Sequence, residues 1–80
     1  MLHLVVKTKN KPGEIVKKAL EFFGPGGYGL KIIDKSEYCA YFQGGIGGIV
    51  ITTNTLGEET SVNLVTKDWE YQVGEYARRI

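Results

Sequence analysis

Two stretches of this 80-residue chain carry apolar residues at helical spacing, and in most of what lies between and before them apolar residues recur at every second position. A helix buries a stripe and a half-covered strand buries alternate side chains, so the two periods mark which backbone each segment uses. Leu2, Leu4, Val6 and Thr8 alternate with His3, Val5, Lys7 and Lys9, which predicts a first strand over 1–9. Asn10-Lys11-Pro12-Gly13-Glu14 then opens a helix: proline has no amide hydrogen to lose in the first turn, and Glu14 suits the positive end of the helix dipole. Ile15, Val16, Ala19, Leu20, Phe22 and Phe23 form its apolar stripe, Lys17, Lys18 and Glu21 its outer face, and the glycines and proline of 24–27 end it.

The period of two then returns. Strands are predicted from Tyr28 to Lys35 with Leu30 and Ile32 inward, and from Glu37 to Gln43 with Tyr38, Ala40 and Phe42 inward. Two more run from Ile49 to Asn54 with Ile49 and Ile51 inward, and from Glu59 to Thr66 with Thr60, Val62, Leu64 and Thr66 inward. Turns fall at Lys35-Ser36, over Gly44 to Gly48, and at Gly57. A last helix starts at Thr66 or Lys67, carries Asp68 and Glu70 in its first turn, and shows an apolar stripe of Trp69, Val73, Tyr76 and Ile80, with Arg78 and Arg79 at its C-terminal end.

The order is therefore β-α-β-β-β-β-α: an α+β fold, one domain over 1–80, with two helices on one face of a five-stranded sheet that is antiparallel, a mixed arrangement remaining open. The other face is left with Val5, Ile33, Cys39, Tyr41, Val50, Thr52, Ser61, Asn63 and Val65. It mixes apolar and polar groups, and Val5, Ile33, Tyr41, Val50 and Val65 are its candidate interface residues.

A chain of this length leaves roughly 40% of its unfolded surface exposed after folding, so self-association would help it, and a homodimer is expected. Cys39 has no cysteine partner, and one Cys with one His cannot complete a four-ligand zinc site, so no metal is implied. No apolar run is long enough to span a bilayer, which makes a cytoplasmic location the default expectation, with no membrane partner. Charge is uneven: seven lysines and three acids lie up to Lys35, three basic and six acidic residues after it.

Neither glycine cluster stands between a strand and the start of a helix, where a phosphate loop belongs; both read as turns, with the Gly44 to Gly48 tip also readable as a mobile lid over a ligand. With one His, one Cys and two Ser, the chain offers little to a hydrolytic centre, and no catalytic residue and no cofactor is assigned. His3 and Cys39 share a predicted sheet face, while Asp34 with Glu37 and Glu58 with Glu59 are the close carboxylate pairs.

The segment from Val5 to Ile33 resembles the opening of an ACT domain, a small ligand-binding module of metabolic regulators: a strand, Asn10-Lys11-Pro12-Gly13-Glu14 into an amphipathic helix, and a glycine-rich turn into Tyr28-Gly29-Leu30-Lys31-Ile32-Ile33. The resemblance implies an amino acid bound at a dimer interface, with Asn10, Gly13, Glu14 and Ile15 as contacts, in a βαββαβ fold. The order of elements over the whole chain is similar to the TATA-box-binding-protein-like or helix-grip architecture, in which a curved sheet wraps one or two helices. The leading expectation is a non-enzymatic binding module that dimerises or meets another protein. The alternatives are an ACT-like sensor of an amino acid or small metabolite, a single-stranded nucleic-acid binder drawing on the basic first half, and a small enzyme using Asp34 or Glu37.

Overall fold

A computed structural model describes residues 1–80 and gives the order β1 (Leu2–Thr8), α1 (Pro12–Phe23), β2 (Lys31–Lys35), β3 (Cys39–Gly44), β4 (Gly47–Leu56), β5 (Glu59–Lys67) and α2 (Glu70–Ala77). All five strands form one sheet in the spatial order β1-β5-β4-β3-β2, and every neighbouring pair is antiparallel. β2 to β5 run as a meander, and β5 ends beside β1, so the first and second strands become the two edges. Helix α1 crosses from one edge to the other over β3 and β4, and α2 returns over β5.

The alternation read from the sequence fixes which face the helices cover. Ala40, Phe42, Ile49, Ile51, Val62 and Leu64 from the sheet meet Ile15, Val16, Ala19 and Phe23 of α1, Leu30, and Val73 and Tyr76 of α2 in one core. Rings dominate where the helices meet: Phe23 lies 5.2 Å from Tyr76 and 5.6 Å from Phe42, with Phe22 packed edge-on at 4.9 Å. The Tyr76 hydroxyl, buried in this cluster, donates to the Ile15 carbonyl and so ties the second helix to the first turn of α1. The Trp69 indole Nε1 donates to the Gly44 carbonyl at 3.1 Å and closes the far end.

Four local expectations are corrected. Tyr38 does not point inward: the Ser36 hydroxyl accepts the amides of Tyr38 and Cys39, holding 36–38 as a loop, and Tyr38 is 55% exposed. β2 starts at Lys31 rather than Tyr28, because the amides of Tyr28 and Leu30 bond back to the Phe22 and Phe23 carbonyls and finish the end of α1. Glycine at 44–48 is no lid: β3 and β4 pair as far as Gly44 with Gly47, leaving a two-residue turn at Gly45-Ile46 with Gly45 at φ 60°. A side chain at Gly44 would stand 2.7 Å from the Trp69 ring, so glycine there admits the indole. The last helix begins at Glu70, not at Thr66 or Lys67, since β5 continues through Lys67 and the Thr66 hydroxyl donates to the Gly48 carbonyl across the sheet.

Candidate interaction surface

The strand register arranges the uncovered face in rows that run across the sheet. One row is His3, Val65, Val50, Tyr41 and Asp34, so Val65, Val50 and Tyr41 stand on three adjacent strands. The next is Val5, Asn63, Thr52 and Cys39, which sets Val5 diagonally beside Val65. Lys7, Ser61 and Asn54 bound these two rows on one side; Lys67, Gly48, Gln43 and Lys31 bound them on the other. Val5, Tyr41 and Val50 are 57%, 40% and 38% exposed, whereas Ile51, one residue along β4, is fully buried. Ile33 is also exposed, but as the extra residue of a β-bulge in β2, which shifts the pairing between Ile32 and Asp34.

Val5, Val65, Val50 and Tyr41 share this face. The His3 Nε2 lies 3.4 Å from Asn63 Oδ1. Cys39 sits three strands away from His3, roughly 14 Å at the spacing of neighbouring strands. Asp34 Oδ1 accepts the Lys35 amide, and no three His, Cys, Asp or Glu side chains converge anywhere in the fold. The two groups with shifted titration lie elsewhere. Hydrogen bonding to Glu75 raises Tyr71 on the surface of α2, and burial raises Tyr76 far above its ordinary value.

The four residues of the ACT-like segment separate. Gly13 and Glu14 are exposed in the first turn of α1, and the Asn10 amide bonds the Thr8 hydroxyl at 3.2 Å. Ile15 is fully buried in the core, its carbonyl engaged by Tyr76. Gly13 lines an open groove with Val16, Lys17, Leu20 and residues 35–37 at the end of β2, but no cavity brings the four together. The segment folds as β1-α1-β2, and three more strands follow before the next helix, so the chain does not have the βαββαβ order of an ACT domain.

Sequence reasoning missed two features. Lys31, Gln43 and Lys67 line up as a polar margin, which depends on register across four strands and has no signal in any one of them. A cleft of about 310 Å³ opens between the helices, lined by Lys18, Glu21, Phe22, Tyr76, Arg79 and Ile80, with the Arg79 guanidinium 5.2 Å from the Phe22 ring. No helix of the chain is long and apolar enough to cross a membrane. No family model, no curated protein and no solved structure matches the chain. Fold and surface therefore define the class: a small α+β domain with a bare, semi-apolar sheet face.

Proposed function

We propose that this domain is a non-enzymatic binding module that works as a homodimer and receives a partner protein on its uncovered sheet face. One observation carries the reading: Val65, Val50 and Tyr41 stand side by side on three strands, with Val5 beside them, on a face that neither helix covers. Apolar surface left in water is a driving force for association, and strands fix its shape in advance, so little order is lost on binding. The margins choose the partner. Lys7 lies at one end, Lys31 and Lys67 at the other, and Asp34 is the single acid in the four rows. The complementary surface is an apolar strip bounded by acidic residues.

Aliphatic side chains make up most of the band, and Tyr41 and the His3 imidazole, toward opposite ends of one row, are the only aromatic rings among its rows. Base stacking relies on aromatic platforms, so protein fits this surface better than single-stranded nucleic acid. A metabolite sensor has less support, because Asn10, Gly13, Glu14 and Ile15 share no cavity.

The test is a random-peptide display selection on the wild-type domain, with the Val50→Glu variant as counter-target. Peptides rich in apolar and acidic residues are expected, binding the variant at least ~10-fold more weakly, since a carboxylate would stand in the middle of the apolar band. If no peptide prefers the wild type, or if an oligo-dT strand binds in a salt-dependent manner where peptides do not, the protein-partner reading is overturned.

A further inference from the structure

The two edges of the sheet are built differently. β2 has five residues, is interrupted by the bulge at Ile33, and exposes Lys31 and Lys35. Bulges and edge lysines are devices by which a free strand avoids pairing with another chain. β1 has seven residues in unbroken register with β5, from Leu2 opposite Thr66 to Thr8 opposite Thr60, with neither bulge nor proline and with one lysine, Lys7, near its end, against two in the shorter β2. Nor is it sheltered from above: α1 is centred over β3 and β4 and α2 over β5, and Leu2, Leu4 and Val6 on the helix side of β1 stay partly exposed. An open hydrogen-bonding edge and a half-covered apolar row thus coincide on one strand.

We propose that a second copy of this chain pairs with β1 through its own β1, antiparallel about a two-fold axis at Val5, joining the two sheets into one. The proposal rests on the homodimer reading above and says where the copies meet. The strand is self-complementary in this register. Val5 faces its own mate, Leu4 faces Val6 of the partner subunit, and Leu2 faces the partner's Thr8, so the half-exposed apolar row of each copy is covered by the other. The band of Val5, Val50 and Val65 remains open and continues across the axis into its symmetry mate. A seven-residue edge is about 24 Å long at 3.4 Å per residue. Over the depth of the side chains it buries roughly a few hundred Å² per copy, less than the ~800 Å² per partner of a standard interface. The dimer is accordingly weak, with dissociation expected in the micromolar range.

Sedimentation velocity from about 1 to 200 µM, together with cysteine cross-linking, tests this. Wild type is expected to shift from monomer to dimer across the range. Val5→Lys, which sets two like charges on the axis at an exposed position, is expected to weaken the dimer at least ~10-fold while leaving the circular dichroism spectrum unchanged. In a Cys39→Ser background, Val5→Cys is expected to give a disulfide-linked dimer on mild oxidation, because directly opposed residues lie within disulfide reach; Val50→Cys is not. A wild-type dimer indifferent to Val5→Lys, with no linkage through Val5→Cys, overturns the edge and leaves the homodimer standing. A wild type that stays monomeric at 200 µM overturns both.

Discussion

Phe23→Ala is expected to remove about 3–5 kcal/mol, the cost of emptying a fully buried aromatic site. Phe23 has no exposed surface and is ringed by Phe22, Phe42 and Tyr76, so one deletion opens the contact between α1, α2 and β3 together. An 80-residue domain has roughly 4–12 kcal/mol to lose, at about 0.05–0.15 kcal/mol per residue. The urea midpoint should therefore fall by a quarter or more, and a large part of the population should be unfolded without denaturant if the wild type lies at the low end. Tyr71→Ala on the exposed side of α2 is the control, and should stay within about 0.5 kcal/mol of wild type. Equal effects from the two substitutions would mean that the aromatic cluster is not the centre of the core.

Tyr76 gives the second large effect, and it depends on pH. Burial raises its hydroxyl well above the ordinary tyrosine value of about 10, because the phenolate would have to form away from water beside the Ile15 carbonyl. In the unfolded chain the group gives up its proton near pH 10, while in the folded chain it keeps it. Above pH 10 the unfolded state therefore binds fewer protons, and stability that is intact below pH 10 is lost as pH rises, by up to about 1.4 kcal/mol per unit from this group. Tyr76→Phe removes both the bond and the titration. At pH 7 the variant should be about 0.5–1.5 kcal/mol less stable, because the hydroxyl's bond to the Ile15 carbonyl is lost while that carbonyl keeps its place in the helix. Above pH 10 its urea midpoint should fall less steeply than that of wild type, so the gap narrows. Parallel curves up to pH 11 would place the alkaline loss on other groups.

What the sequence made legible follows from where the physics is local. The bounds of α1 coincide with the Pro12 and Phe23 read from the pattern, because proline at the start and glycine with proline at the end act within a few residues. The inward and outward sets of β3, β4 and β5 could be read since the period of two needs no knowledge of the neighbouring strand. Tyr38 was misread because its alternation runs on from Ala40, while the Ser36 hydroxyl breaks the strand by a bond that pattern does not carry. Gly44 looked like part of a loose tip and is instead required by close packing, a matter of Trp69 arriving from twenty-five residues away. The start of α2 was misplaced for a similar reason: the Thr66 hydroxyl, a plausible cap in sequence, is committed to Gly48 on the next strand. Of the candidate surface, the faces of Val5, Tyr41, Val50 and Val65 were legible strand by strand, whereas the bulge at Ile33 puts Asp34 in the row with Tyr41 against the alternation. The union of those four into a contiguous band was not legible, because β5 lying between β1 and β4 is a property of the whole topology.

The central claim is that both helices cover one face of the sheet and leave the other bare, and adjacent residues of β4 test it. Val50 is on the bare face and Ile51 is fully buried beneath the helices. In a Cys39→Ser background, kept below 1 µM so that copies stay apart, Val50→Cys and Ile51→Cys are each mixed with an aromatic disulfide reagent and the labelling rate is read by absorbance. Val50→Cys should react at nearly the rate of an unfolded thiol and Ile51→Cys at least ~100-fold more slowly, since its sulfur is reached only when the core opens. Equal rates, or protection of Val50→Cys instead, would contradict the fold's two-sided architecture and the surface drawn from it.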